Sequence, residues 1–177
     1  MTEKLSKEEK IALKTKELRA SLERDYVWKE LHISIGGEPK AWQRHRARVG
    51  KDGKYLSMYD PNTSSKKIFR DYIEEAMAVN GVSMIRDTAI YFKMESYKKA
   101  PKSVKDYELP LYEEGILRPL TKPDVDNYAK LFMDAANNVL WDDDKLIVSE
   151  GCDKFYSEHP RVIFHLRFRE KKCDSKV

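Results

Sequence analysis

Cysteine is nearly missing from this 177-residue chain: Cys152 and Cys173 are its two examples. Two thiols without Cys/His spacing exclude a zinc finger or ribbon and a small disulfide-stapled scaffold. Glycine and proline are sparse, at seven each, which excludes collagen-like and low-complexity classes. No apolar run approaches the roughly 18 residues of a membrane span. The opening MTEKLSKEEK carries charge where a secretory signal carries an apolar stretch, so a cytoplasmic protein with reduced thiols is expected. A phosphate-binding loop is lacking as well, because Gly36-Gly37 is not followed by Lys-Ser/Thr. His32, His45, His159 and His165 are scattered without ligand spacing, and no nucleophile elbow is present. His165, on the outer face of a strand, reads as an ordinary surface histidine.

What is present is one domain's length of chain with a heavily charged surface. Lys and Arg number 34 against 30 Asp and Glu, a net charge of +4. Residues 3–29 read as a charged, peripheral helix, in which Ile11, Leu13, Leu18, Leu22 and Val27 are only loosely periodic. From Leu31 the apolar residues alternate, as in a half-buried strand. Two short extended stretches follow around Asp52-Gly53, a hairpin signal. After the Asp60-Pro61 turn, a helix from about residue 64 carries Ile68, Tyr72, Ala76 and Val79 on one face, and it ends at Asn80-Gly81. Residues 87–95 alternate again. Residues 96–121 form a long loop with room for a short helix around 102–113. A second helix spans 126–139, and strands follow at 145–152 and 162–169. The expected fold is α+β: a mixed sheet with two main helices packed on it, in the order β-β-β-α-β-α-β-β, after an N-terminal helix. The expected division is a helical extension at 1–29 and a domain at 30–177.

Chemistry concentrates in KPDVDNYAKLFMDAANNVLWDDD. Pro123 disfavours helix at Lys122 and sets a rigid entry, and if Asp124 is still extended it shares a side with Asp126 at the helix start. Lys130 lies one turn beyond Asp126 on the same face. Asp142, Asp143 and Asp144 follow Trp141, and a strand starting there runs back toward the acid pair. Converging carboxylates repel, and a hard divalent cation such as Mg²⁺ resolves that. The bland alternative is a helix-capping acid beside an acidic turn. An EF-hand does not fit, because its positions 5, 6 and 12 fall on Tyr128, Ala129 and Ala135.

The charge is polarised. Residues 31–71 hold nine basic residues (Lys40, Arg44, Arg46, Arg48, Lys51, Lys54, Lys66, Lys67 and Arg70) against four acids. Residues 121–150 hold three basic residues against seven acids. Acids set within a basic surface suit a polyanion whose phosphate is approached by a metal. Arg44, Arg46 and Arg48 recur at period two, hence on one strand face, with Trp42, Tyr55 and Tyr59 near enough to stack on bases or sugars. Lys98 and Lys102 form a second basic run in the long loop. A solvated surface remains the alternative for both runs.

The stretch containing Gly37, Pro39, Gln43, Arg44 and Arg46, the KPDVDN motif with Lys130 after it, and WDDD further on together resemble the RusA-type Holliday junction resolvase family, over roughly residues 31–168. The resemblance implies that Asp124 and Asp126 are the paired acids, Lys130 the family lysine and Asp144 the third acid, with Asp143 a one-residue alternative. It implies a homodimeric, Mg²⁺-dependent endonuclease, with Mn²⁺ able to substitute. Such an enzyme nicks opposed strands of branched, four-way DNA in recombination and repair, needs no small-molecule cofactor or membrane, and is often carried by phages or prophages. Arg44, Arg46, Arg48, Lys66, Lys67, Arg70, Lys98 and Lys102 are the expected DNA contacts. The N-terminal helix departs from the family pattern. Two other readings stay open: a junction- or duplex-binding protein with structural acids, and a metal nuclease for flaps or RNA.

Overall fold

The computed structural model describes residues 6–49 and 56–172. The Asp52-Gly53 turn, Lys51, Lys54, Tyr55 and Cys173 lie outside them. The elements are α1 (Lys7–Asp25), β1 (Tyr26–Gly36), β2 (Arg46–Val49), β3 (Leu56–Tyr59), α2 (Thr63–Asn80), β4 (Ile90–Lys99), α3 (Leu109–Glu113), α4 (Val125–Ala136), β5 (Ile147–Ser157) and β6 (Arg161–Lys171). Four strands form one mixed sheet in the order β1-β6-β4-β5, and β2 and β3 pair as a separate antiparallel hairpin. The α+β class and the N-terminal helix are therefore as expected.

Alternation in β1 buries Leu31, Ile33 and Ile35 opposite Leu166, Phe164 and Val162 of β6. In β4, Ile90, Phe92 and Met94 point the same way. Helices α2 and α4 supply the other half of this core. Phe132 of α4 stacks on Phe164 at 3.7 Å between ring centroids and meets Phe69, Phe92 and Trp141 around it. Each buried aromatic of this kind contributes about 1.5–3 kcal/mol of apolar burial. Strands β4 and β5 are parallel, so the chain between them must cross over, and that crossover carries α4 across the sheet.

Two elements differ from the sequence expectation. The first helix stops at Asp25, because Tyr26–Lys29 pair with Phe168–Lys171 and extend β1, and the Trp28 ring there packs under Arg167 and Arg169. In α2 the buried stripe is Phe69 and Ile73, while Ile68 and Val79 are 51% and 79% exposed. The two stripes are one residue apart on the helix wheel. Phe69 wins because its ring reaches Phe132 and Phe164, a larger apolar contact than Ile68 and Tyr72 could make.

Candidate active site

The segment before α4 is held by lysines. Lys154 Nζ, on the sheet face toward α4, donates to the carbonyls of Thr121 and Pro123 at 3.0 and 3.1 Å. Lys98 Nζ donates to the Lys122 carbonyl at 3.0 Å. These bonds fix the chain direction just before Asp124, which takes the N-cap position of α4 in extended conformation without capping it. Asp126 sits in the first helical turn. Both carboxylates are exposed, next to the open N–H groups at the helix start, which favour negative charge. Among the described residues, neither carboxylate has an ion-pair or hydrogen-bond partner.

The acidic triplet sorts itself by bonding. Asp142 accepts from Arg86 Nε at 3.1 Å. Asp143 caps the short 3-10 turn Asp144–Leu146, accepting from the Lys145 backbone N–H at 2.8 Å. Asp144 has no partner among the described residues and is exposed. It lies in that turn and not in a strand, because β5 begins later, at Ile147. Among the described residues, no three Asp, Glu, His or Cys side chains converge tightly enough to enclose a metal ion. The donor chemistry nevertheless fits a hard divalent cation: Asp124, Asp126 and Asp144 offer unpaired carboxylate oxygens and no soft ligand.

Lys130 is exposed, one turn after Asp126, and its ammonium rests over the Trp42 ring at 4.1 Å from the centroid. Trp42 is thus occupied by a cation and fixed by its own indole N–H, which donates to Asp134 at 3.1 Å. One face of the ring expected to stack on bases or sugars is therefore taken by an ammonium. Nearby on β5, the Cys152 thiol is pushed up to about 12, first by burial and then by Glu150, with Asp153 and Asp126 adding negative field.

The basic residues divide in two. Arg44, Arg46, Arg48, Lys67, Arg70 and Lys102 are exposed. Arg46 donates to Gln43 at 3.0 Å, and Arg70 Nε donates to the Ala135 carbonyl at 3.1 Å. Lys66 and Lys98 are half-buried and make contacts within the fold. Lys66 bridges Asp60 and Asp134 at 2.9 and 3.1 Å, and Lys98 Nζ donates one N–H to the Lys122 carbonyl. An ammonium held between two carboxylates has little charge left for a phosphate. Sequence reasoning missed the Lys154 clamp and the Trp42 contact. Neither has a local signal: Lys154 lies beyond the strand expected at 145–152 and reaches carbonyls more than 30 residues away, and Trp42 and Lys130 are 88 residues apart.

Residues 36–167 match the family described as Endodeoxyribonuclease RusA, three quarters of the chain and the whole of the site just described. The chain is also 36% identical over 139 residues to Uncharacterized protein YqaN of Bacillus subtilis (strain 168), covering 77% of this chain and 95% of that relative. No helix among the described residues is long and apolar enough to cross a membrane. With KPDVDN at the head of α4 and Lys130 one turn along it inside the matched span, the chain belongs to the RusA family of endodeoxyribonucleases.

Proposed function

We propose that this chain is a divalent-metal-dependent endonuclease that resolves four-way DNA junctions by paired nicks, as a homodimer, in DNA recombination and repair. The observation that carries the reading is the acid pair Asp124 and Asp126 at the start of α4, unneutralised by any described side chain, with a lysine one turn away. Asp124, Asp126 and Asp144 would hold the cation, Mg²⁺ or Mn²⁺ by its preference for oxygen ligands. When bound, it supplies positive charge to the scissile phosphate and acidifies a water. Lys130 offers a second positive charge to the oxygens on which negative charge develops. Arg44, Arg46, Arg48, Lys67, Arg70 and Lys102 grip the phosphate backbone through their charge, and that contact carries no sequence information.

A four-way junction is two-fold symmetric, and one chain carries one acid pair. Two chains related by a two-fold axis supply two cuts at equivalent positions. The test is a panel of four-way junction, duplex, single strand and flap, each with and without Mg²⁺. Paired nicking of the junction that requires the cation is expected. Junction binding without any nicking would sink the catalytic reading, and preferential cutting of flaps or duplex would sink the substrate assignment.

A further inference from the structure

Asp126 and Lys130 stand at i and i+4 on α4, the spacing at which a carboxylate and an ammonium on one helix ordinarily pair. Here the ammonium goes elsewhere: it sits over the face of Trp42 at 4.1 Å from the ring centroid. The ring is held in that place along α4. The Trp42 backbone N–H donates to the Asn127 carbonyl at 2.7 Å, and the indole N–H donates to Asp134 at 3.1 Å. Asn127, Lys130 and Asp134 are three and then four residues apart, one face of the helix, and Trp42 lies against that face. Behind it, Lys66 anchors Asp134 at 3.1 Å, and the buried Asn62 side chain clasps both backbone groups of Gln43 at 2.7 and 2.8 Å.

We infer that Trp42 is the positioning residue for Lys130: its ring draws the ammonium off Asp126 and fixes it beside the acid pair with its charge intact. An aromatic face attracts a cation without neutralising it, as a carboxylate partner would. It also restrains a flexible four-carbon stem. Both effects serve the site. Asp126 stays free for a divalent cation, and Lys130 stays available to phosphate. The inference rests on the nuclease reading above, and its test separates the two.

The informative pair is Trp42→Leu and Trp42→Phe. Both lose the indole N–H to Asp134, and only the phenylalanine keeps an aromatic face. For Trp42→Leu we expect kcat on a four-way junction to fall about tenfold, the scale of one cation–π contact. The Mg²⁺ concentration for half-maximal nicking should rise, because Lys130 now competes for Asp126. Junction affinity should hold, and Trp42→Phe should recover most of both losses. In a Lys130→Gln background, Trp42→Leu should cost almost nothing further. Equal losses for Leu and Phe, or the same loss in the Lys130→Gln background, would show a merely structural tryptophan and overturn the inference. A reading independent of activity comes from lysine-labelled NMR of the full chain. The Lys130 ε-methylene signal, assigned through Lys130→Gln, should lie upfield of the other lysines, remain so in Trp42→Phe and return in Trp42→Leu. An unshifted signal in the parent protein overturns the positioning claim even if nicking is robust. A shifted signal in a protein that never nicks leaves the positioning intact and removes the nuclease reading instead.

Discussion

Asp124, Asp126, Asp142, Asp143 and Asp144 share a side chain and differ in what each already holds. Asp142 is tied to Arg86 and Asp143 to the Lys145 N–H, whereas Asp124, Asp126 and Asp144 are unpartnered among the described residues. We therefore expect Asp124→Asn and Asp126→Asn each to reduce junction cleavage by roughly 10²-fold or more, the scale of losing a charge-stabilising group. Binding, measured by gel shift in Ca²⁺, should be retained or tightened, since a negative charge facing phosphate is gone. Near-normal cleavage by either variant would remove the ligand assignment. Asp144→Asn should hurt cleavage more than Asp142→Asn or Asp143→Asn, and equal rates for all three would move the third ligand. Lys154→Met strips two carbonyls of a charged donor and should destabilise the fold by about 1–3 kcal/mol in urea titrations. The place of Asp124 and Asp126 at the head of α4 was legible because a carboxylate pair at a proline-preceded helix start is a local pattern, whereas the turn that holds Asp144 was read as the start of a strand. Lys154 and Trp42 act through contacts made only when distant segments meet.

Strands were the most readable elements, since alternation reports burial directly: β1, β4 and β6 bury the residues whose period two marked them. Helix α2 was read with the wrong face inward, because its two apolar stripes differ by one residue and packing against Phe132 chose between them. The length of β5 and the early end of α1 were also illegible, being set by pairing with β4 and β6. On the hairpin, Arg46 and Arg48 of β2 share a face by period, and Arg44 precedes them. Replacing any one with alanine should weaken DNA binding similarly for all sequences and lower the salt slope by about one for each phosphate no longer neutralised. An unchanged slope in all three would place the DNA elsewhere. Across the β1–β6 seam, the Nδ1 atoms of His32 and His165 share a hydrogen bond of 2.7 Å. Burial lowers the His165 pKa from 6.5; His32 and Lys93 also lower it, while Glu95 and Glu30 pull it up. A histidine with a depressed folded pKa takes up its proton more readily when unfolded, so stability falls as pH drops below about 6.5. His165→Phe should flatten that part of a stability-versus-pH curve. A curve unchanged by the substitution would assign the slope to other groups.

At the scale of the molecule, α1 is the outlier. It has its own start signal, the reciprocal Ser6–Glu9 capping box, with bonds of 2.7 and 3.2 Å, and it buries no residue. Among the described residues its hydrogen bonds to the rest lie at its end, where the Lys172 N–H donates to the Asp25 carbonyl at 2.9 Å and Lys172 Nζ to the Glu23 carbonyl at 3.4 Å. A 19-residue helix without a buried face draws little stability from packing and returns little to the core. Removing residues 1–24 leaves β1 whole. It should shift the unfolding temperature by less than roughly 4 °C, the response of a domain this size to about 1 kcal/mol. The same truncation probes the assembly proposed above. If the two chains associate through the sheet or the packed helices, the shortened protein sediments as a dimer at micromolar concentration and still makes paired nicks. If α1 carries the association, truncation gives monomers that cut one strand at a time. We expect the dimer to persist, because everything that orders Asp124, Asp126 and Lys130 lies C-terminal to the cut. Sedimentation of the full chain as a monomer, with two-strand cleavage intact, would remove the dimer from the mechanism altogether.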